Sequence, residues 1–378
     1  MKIIYCIAGT YRPAGMERVL ANKTRALAAM GHDILVVTTE QKGRPSAFSF
    51  DPSVRFTDLA VGYEDNNGGS FLDKLVHYPR KQRLHRKRLE SLLMAEKADV
   101  VVSMFCGEET FLPGIKDGSR KVLEIHFSRF KRLQYGRKGL WALADRLRSR
   151  SDLRNASRFD RFVVLTEEDR AFWKGLDNIT VIPNARTFTF PAPAPLSSRK
   201  IVALGRYSRQ KGLDMLLEAW RLVCDKVGMD ALGWQLHLVG DGEMRPSLER
   251  QVEEYGIGAT VFLDGWTDDV EALYMDTSII ALPSRYEGLP MVLLESQSAG
   301  VPSVCFKCKC GPRDVIEDGV NGLLVPEGDV PGFADSLLRL MEDPDMLRDM
   351  GGRAYRMSGR WSEEAVMEKW KELFESLS

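Results

Sequence analysis

The sequence predicts an α/β protein made of two doubly wound parallel-sheet domains. Short apolar strands alternate with amphipathic helices along both halves of the chain. A proline-rich stretch, Phe188–Arg199 (FTFPAPAPLSSR), separates the two series as a linker would. The 378 residues are also too many for one ordinary core and suit two domains of ~150–190 residues. We therefore place a first domain at 1–187 and a second at 188–360, and expect a closing amphipathic helix within 361–378 to pack back on the first.

The first domain opens with a strand, a helix and a second strand. Lys2–Ala8 and Asp33–Thr38 are continuous apolar runs, which are typical of parallel strands covered on both faces. Gly15–Met30 has helical spacing of its apolar residues, and Gly31 follows as a helix-ending glycine. Further strands are predicted at Ala98–Ser103, Lys121–Ile125, Arg161–Leu165 and Thr180–Ile182.

The second domain repeats this alternation. Strands are predicted at Lys200–Leu204, Trp234–Val239, Thr260–Leu263, Ser278–Leu282, Pro302–Phe306 and Gly322–Val325, and helices at Leu213–Val227, Arg245–Tyr255, Val270–Met275 and Pro290–Ser298. Open parallel sheets bind ligands at the carboxyl ends of their strands. Two such sheets predict one shared site in a cleft between the domains.

Composition excludes several classes of protein. Hydrophobic residues make up 44% and charged residues 28%, as in soluble globular chains, and no run of about 18 apolar residues is present. The start, MKIIYCIAG, is too short for a signal peptide and predicts a buried strand in a cytoplasmic protein. Six cysteines do not make a disulfide framework. Cys305, Cys308 and Cys310 cluster without a nearby fourth ligand, so we expect no metal there, and their role stays open.

Positive charge is concentrated in the first domain, although the net charge of the chain is zero. Lys74–Arg88 contains seven Lys or Arg and no acid, and Lys116–Arg161 contains 14 against five Asp or Glu. Solvated helix faces would explain such stretches. They would equally suit an anionic membrane surface, and we expect peripheral association through Lys74–Arg88 and Arg129–Arg161.

The segment Ser278–Gly300 carries the strongest chemical signal. A strand, a turn and a helix opened by Pro290 place Glu287 just before a helix N-terminus and Glu295 about two turns inside. Unpaired N–H groups at such a terminus suit a phosphate, and Gly288 allows close backbone approach. The two carboxylates accept hydrogen bonds, so they suit the hydroxyls of a sugar and a ribose.

A second loop, VALGRYSRQKGL, follows the strand Lys200–Leu204. Arg206 and Lys211 flank it and could grip a diphosphate from two sides, although surface charge alone would also explain them. The turn HLVGDG lacks the third glycine of a dinucleotide fingerprint, and no GxxxxGK[ST] phosphate loop exists. In the first domain, Gly15 and His126 follow strand ends, where helix initiation and a structural histidine are the plainer explanations.

At these residues the chain resembles the family 4 glycosyltransferases of the GT-B fold, which are usually retaining. Glu287 and Glu295 resemble that family's paired-glutamate motif within LPSRYEGLPMVLLESQSAGVP. GRYSRQKG resembles its diphosphate-gripping loop, and LVGDGEMRPSLE and VFLDGWTDDVEALY resemble segments around the nucleotide base. The N-terminal segment CIAGTYRPAGMERVLANKTRALAAMGHDILVVTTE is similar to bacterial members that build capsule or exopolysaccharide.

The resemblance implies a role for each matching residue. Arg206 and Lys211 would neutralise the donor diphosphate, Glu287 would face the donor sugar hydroxyls, and Glu295 would accept from the ribose. His126 would lie beside the sugar as a further catalytic residue. The remaining donor-binding positions implied are Gly15, Gly205, Trp266, Gly288 and Leu289.

The implied reaction uses a nucleotide sugar, UDP-sugar by family frequency and GDP-sugar otherwise, with no metal and no cofactor. The acceptor would be a glycan or a polyprenyl-diphosphate-linked sugar. One departure is CKCGPRDVIEDG, where many members have a Gly-Gly stretch and a glutamate, which leaves the roles of Arg313 and Asp314 open. The alternative is a sugar-nucleotide epimerase of the same fold. A nucleic-acid-binding protein is disfavoured, since the second half is net acidic and no reader motif is present.

Overall fold

The computed structural model describes residues 1–66, 71–131, 139–228 and 233–378, without the side chains of residues 66, 71–76 and 140–144. The chain forms two compact units, Met1–Pro183 with Val366–Ser378, and Asn184–Ala365. The sequence placed the corresponding boundaries at 187/188 and 360/361. Part of the basic stretch Arg129–Arg161, residues 132–138, lies outside the described residues.

The first unit is built on a seven-stranded sheet. Its order is β3-β2-β1-β4-β5-β6-β7, with every pairing parallel. The crossover from β3 back to β4 makes β1 and β4 neighbours, the arrangement of a doubly wound sheet. The strands are β1 Lys2–Ile7, β2 Asp33–Thr38, β3 Arg55–Asp58, β4 Val100–Ser103, β5 Arg120–Glu124, β6 Arg161–Val164 and β7 Ile179–Val181.

Helices cover this sheet because its apolar strands need burial on both faces. They are α1 Gly15–Ala29, α2 Phe71–Glu96, α3 Leu140–Ala156, α4 Glu167–Phe172 and the chain-closing α12 Glu363–Glu375. From Val366 onward α12 belongs to this unit, and Trp370 on it is buried with its ring 4.0 Å from Lys23 Nζ. Phe162 and Trp173 pack edge to face inside the core, with ring centroids 4.7 Å apart.

The second unit contains a six-stranded parallel sheet in the order β10-β9-β8-β11-β12-β13. The strands are β8 Lys200–Leu204, β9 Gln235–Val239, β10 Val261–Asp264, β11 Ile279–Leu282, β12 Ser303–Phe306 and β13 Gly322–Val325. The switch point falls between β8 and β11, where the chain order reverses across the sheet. Ligand sites of such sheets form at the carboxyl ends of the strands beside that point.

The helices of the second unit are α5 Leu213–Val227, α6 Arg245–Tyr255, α7 Val270–Met275, α8 Met291–Ser298, α9 Pro312–Val315, α10 Val330–Glu342 and α11 Pro344–Met357. Trp220 of α5 and Phe333 of α10 are fully buried in its core. Burying each such side chain contributes ~1.5–3 kcal/mol. The two doubly wound sheets confirm the predicted fold class.

None of the described helices is long and apolar enough to cross a membrane.

Candidate active site

Glu287 lies in the loop between β11 and α8 and is 8% exposed. Its Oε1 accepts hydrogen bonds from Lys211 Nζ at 2.8 Å and from Ser284 Oγ at 2.7 Å. Lys211 comes from the loop after β8, so two residues far apart in sequence meet at the switch point of the sheet. A buried carboxylate requires such partners, since an unpaired charge there would be costly.

The two loops are also tied together beside that pair. Arg285 donates to both oxygens of Asp214 at 2.8 and 2.6 Å, and to the carbonyl oxygen of Arg209 at 2.9 Å. Gln210 Nε2 donates to the carbonyl oxygen of Tyr286 at 3.0 Å. Burial raises the pKa of Asp214, but the hydrogen bonds from Arg285 lower that pKa further, so the net shift is downward. These bonds hold Lys211 opposite Glu287.

Glycines allow a third loop to approach. Gly240, which follows β9, has φ +137°, and a Cβ there would meet the carbonyl oxygen of Gly205 at 2.1 Å. At Gly205 itself φ is +146°, and a Cβ would press on the Lys211 side chain at 3.2 Å. The stem of Lys211 therefore lies across Gly205, and a small cavity lined by Gly205, Lys211, Pro283 and Ser284 opens beside it.

Arg206 does not join the Lys211–Glu287 pair. Its side chain is largely exposed and lies 3.2 Å from Glu243. A long exposed cation is free to move towards an anionic ligand, because its surface ion pair is weak. The structure therefore places the two predicted cations differently, with Lys211 fixed and Arg206 on the surface.

Glu295 is 6% exposed and accepts a hydrogen bond from the phenol of Tyr274 at 2.8 Å. Tyr274 projects from α7 and is fully buried. The expected depth of Glu295 was wrong: α8 begins at Met291, with Pro290 as its N-cap, so Glu295 is the fifth residue and lies just over one turn inside. The helix begins one residue later than predicted because Pro290 keeps an extended conformation.

The start of α8 is closely packed. Leu289 is 7% exposed, Gly288 is partly buried, and a Cβ at Gly311 would meet Pro290 Cδ at 2.4 Å and the Gly288 carbonyl oxygen at 2.6 Å. Within the described ranges, no side chain caps the helix. Its first N–H groups therefore remain available for an anion.

The cysteine cluster lies next to this segment as three buried cysteines, Cys305, Cys308 and Cys310, which form no disulfide. Burial, then the negative charge of Glu287, raises the pKa of Cys305 and of Cys308. Raised thiol pKa values disfavour the thiolate, which is the form that reacts and binds metals. Trp266, by contrast, is 69% exposed in the loop after β10 and offers a bare indole face.

In the first unit, His126 follows β5 and its side chain is 8% exposed, with Nε2 3.0 Å from Glu124 Oε1. Gly15 is the first residue of α1, is exposed, and has open space where a Cβ would be. The structure thus brings Lys211, Glu287 and Gly205 together in the second unit, while His126 and Gly15 belong to the first.

Sequence reasoning missed the partners of these residues. Ser284, Asp214 and Tyr274 hold the predicted site in the second unit, and Lys23 and Glu124 stand behind His126 in the first. One signal was available: Glu124 is a charge inside the apolar strand segment VLEI, and a charge buried there requires a partner.

Two family profiles match the chain. The family described as "Glycosyl transferases group 1" matches residues 185–357, and "Glycosyltransferase Family 4" matches residues 13–186. Together they span both units. The chain belongs to the family 4 glycosyltransferases and has their GT-B fold, which confirms the resemblance.

Curated relatives carry transferase names. An uncharacterized glycosyltransferase of Haemophilus influenzae is 25% identical over 98% of this chain and 99% of its own length. The exopolysaccharide phosphotransferase SCO2592 of Streptomyces coelicolor is 33% identical over 60% of this chain, which spans only 24% of that protein. The amylovoran biosynthesis glycosyltransferase AmsD of Erwinia amylovora is 28% identical over 57% of this chain and 62% of its own length. The epimerase alternative finds no support among these names.

Solved structures share the fold. TarM superposes with a TM-score of 0.79 at 18% identity, covering 99% of this chain and 98% of its own. A Staphylococcus aureus TarM mutant in complex with fondaparinux, alpha-GlcNAc-glycerol and UDP superposes at 0.76, with 18% identity and 99% coverage of both chains. Anabaena HepE in complex with UDP superposes at 0.71, with 16% identity and full coverage of both chains.

Proposed function

We propose that the chain transfers a sugar, with retention of anomeric configuration, from a UDP-sugar to a glycan or polyprenyl-diphosphate-linked acceptor in capsule, exopolysaccharide or O-antigen synthesis. The name of AmsD and the UDP bound to the TarM mutant and to HepE support this acceptor class and this donor. GDP is the second nucleotide to test.

The observation that carries the proposal is the Lys211–Glu287 pair at the switch point of the second sheet. Lys211 can stabilise the charge that grows on the diphosphate as the glycosidic bond breaks, and Arg206 can close on it from the surface. Glu287 and the backbone N–H groups of Gly288 and Leu289, in the loop just before α8, then face the sugar and phosphate. Fixed donors of this kind need no metal ion to supply positive charge, and we expect activity to survive EDTA.

Glu295 is suited to the ribose because its carboxylate is buried, ionisable and held by Tyr274. A ribose hydroxyl would donate to it, and Trp266 would stack on the base with its exposed ring. In this arrangement Glu287 is hydrogen-bonded to Lys211 and Ser284, which favours hydroxyl binding over covalent attack on the sugar. Retention would then arise from front-face attack, with the leaving phosphate taking the acceptor's proton.

A thermal-shift screen with UDP, GDP and their common sugars tests the donor assignment, since a ligand at 100 times its Kd stabilises the protein by ~2.7 kcal/mol. We expect UDP and one UDP-sugar to raise the Tm. Glu295→Ala should weaken UDP binding, and an unchanged Kd together with an unchanged rate would overturn the ribose role. Proton NMR of the product, read at its anomeric coupling, tests retention.

We extend the proposal to the inner membrane surface, where lipid-linked acceptors reside. Arg80 and Arg83 on α2 are exposed, as are Arg146 and Arg148 on α3, which flank Leu147 at 57% exposure. Each cation near an anionic surface contributes ~1 kcal/mol, so replacing Arg80 and Arg83 by Gln should weaken binding by about 30-fold.

Flotation with vesicles tests this surface. We expect co-flotation with phosphatidylglycerol-containing vesicles and none with phosphatidylcholine alone. Arg250→Gln with Arg356→Gln, two exposed cations of the second unit, is the matched control and should float like wild type. Equal flotation with neutral vesicles, or none with either, contradicts the membrane role.

A further inference from the structure

Five side chains of the first unit form a buried polar cluster: Tyr5, Glu17, Lys23, Glu124 and His126. They come from β1, from the first three turns of α1, and from the end of β5 and the residues just after it, and each side chain is at least nine-tenths shielded from solvent. Three separate elements therefore direct polar atoms into one apolar interior. We call this set the polar cluster.

Within the polar cluster, Lys23 and Glu124 form an ion pair whose opposite charges cancel. Lys23 Nζ donates to Glu124 Oε1 and stands 4.0 Å above the Trp370 ring. Burial raises the pKa of Glu124, but the charges of Lys23 and His126 lower that pKa further, to about 2. Burial in turn lowers the pKa of Lys23, while Glu124 opposes that shift. This ion pair offsets two buried charges, while the second oxygen of Glu124, Oε2, is buried without a hydrogen-bond partner among the described residues.

Glu17 is different. It is 6% exposed, and it is the third residue of α1, where its own backbone N–H binds the carboxylate. That bond needs one oxygen. The other, Oε2, is buried and has no hydrogen-bond partner among the described residues. A carboxylate that served only the helix terminus could keep its second oxygen in water, as exposed first-turn acids do.

His126 presents a second unsatisfied group beside it. Both ring nitrogens of His126 are buried and neither finds a hydrogen-bond partner in the described part of the chain, although Nε2 lies 3.0 Å from Glu124 Oε1. Burial raises the pKa of Glu17, while its own backbone N–H, Arg12 and His126 oppose that rise. Glu17 Oε2 and the ring nitrogens of His126 are therefore buried polar atoms of one cluster whose hydrogen-bonding capacity is unused among the described residues.

We propose that Glu17 is a substrate-binding residue whose Oε2 accepts a hydrogen bond from a hydroxyl of the sugar that His126 contacts. The inference rests on the proposed glycosyl transfer. A sugar hydroxyl fits because it donates to Glu17 and can accept from, or donate to, the imidazole. The hydroxyl belongs either to the donor sugar or to the acceptor sugar, which the test separates.

Glu17→Gln is the informative variant, because it keeps the size of the side chain and removes the charge. Its amide oxygen would take the backbone N–H, which leaves an NH2 donor where the hydroxyl needs an acceptor. We expect turnover to fall by about 10- to 100-fold, as for loss of one charge-assisted hydrogen bond. The Kd for UDP, which contains no transferred sugar, should stay within about twofold of wild type.

Glu364→Gln is the matched control. Glu364 also lies in the first turn of a helix, and its own backbone N–H lowers the pKa of its carboxyl, but its side chain is exposed. Both variants are checked for folding by thermal unfolding and far-ultraviolet circular dichroism. Both substitutions remove the same kind of helix-terminal charge, so only a contact with substrate separates their rates.

The experiment measures UDP release with donor alone and with donor plus acceptor. Loss of both rates in Glu17→Gln assigns the contact to a donor hydroxyl, and loss of transfer alone with a raised acceptor KM assigns it to the acceptor. Wild-type rates and KM values in folded Glu17→Gln, or a loss of UDP affinity equal to the loss of rate, would overturn the proposal.

Wild-type turnover separately reports on the proposed function. If wild type releases no UDP from any nucleotide sugar, saturation-transfer NMR with UDP-glucose, UDP-N-acetylglucosamine and the free sugars decides the role of Glu17. Sugar-proton contacts present in wild type and lost in Glu17→Gln would support it. Sugar-proton contacts that persist in Glu17→Gln, or that are absent from wild type, would overturn the role of Glu17.

Discussion

Glu287→Gln tests the chemistry of the site most directly. In the folded chain Glu287 Oε1 receives two hydrogen bonds, from Lys211 at 2.8 Å and Ser284 at 2.7 Å. Glutamine keeps the length of the side chain and a carbonyl oxygen for the serine hydroxyl. What it removes is the negative charge that faces Lys211 and, in the proposed reaction, a sugar hydroxyl.

The expected loss follows from these contacts. A hydrogen bond to a charged group has a net worth of ~1.5–3 kcal/mol, and each 1.4 kcal/mol is a factor of about ten. Losing the charge-assisted bond to the sugar, with some loss of Lys211 orientation, predicts a fall in kcat/KM of about 100-fold. UDP affinity should stay level or rise, since Lys211 keeps its charge and a carboxylate no longer stands beside the diphosphate.

The assay pairs UDP release with calorimetric titration of UDP. Lys211→Met should have the opposite effect and weaken the binding of UDP. The double variant of Lys211 and Glu287 gives the coupling energy between the two side chains, expected at about 1–3 kcal/mol. Asp276→Asn, which disrupts the more exposed Lys200–Asp276 ion pair of the same unit, should retain wild-type turnover. Turnover of Glu287→Gln within about threefold of wild type would refute the assignment.

Three further variants test other parts of the structure. Gly240→Ala should lower the free energy of unfolding by more than about 3 kcal/mol, because its Cβ would strike the Gly205 carbonyl oxygen; Gly258→Ala, with its nearest neighbour at 3.7 Å, should be mild in the same urea titration. Burial, then a neighbouring carboxylate, raises the pKa of Glu108 to about 7. Glu108 therefore stabilises the fold below about pH 4.5, and this contribution, up to ~3 kcal/mol, is lost as pH rises to about 7. Glu108→Gln should accordingly reduce the fall in the free energy of unfolding between these two pH values. Trp266→Ala should raise the Kd for UDP by about tenfold in calorimetric titration, because the stacking contact with the base is lost. The Tm should not change, since the Trp266 side chain is 69% exposed in the folded chain.

Much of the fold could be predicted because the buried strands of a parallel sheet are continuous apolar runs in the sequence. β2, β8 and β13 begin and end at the predicted residues, as do α5, α6 and α7. Strand β3 was missed: it has four residues, ends in charges and is largely exposed, so it has neither length nor pattern. Helices α10 and α11 were also missed, although Asp329 and Asp343 cap them and proline follows each cap closely.

The site could be predicted only as far as local motifs reach. Arg206, Lys211, Glu287 and Glu295 stand in recognisable segments, but sequence spacing says nothing about Tyr274, which reaches Glu295 from another helix. Glu17 was passed over for a similar reason. Its place in the first turn of α1 explains a glutamate without any ligand, and only the three-dimensional structure reveals the buried unsatisfied oxygen.

The Lys211–Glu287 pair also constrains how a diphosphate can bind. If phosphate displaced Glu287 from Lys211, a carboxylate only 8% exposed would lose its cation next to a new anion, at a cost of ~3–5 kcal/mol. Lysine has three donor hydrogens, so Lys211 can hold Glu287 and a phosphate oxygen together. Both bonds to Glu287 end on Oε1, which leaves Oε2 for a sugar hydroxyl. The pair should therefore remain intact in the donor complex, with Lys211 bound to the phosphate and Glu287 bound to the sugar.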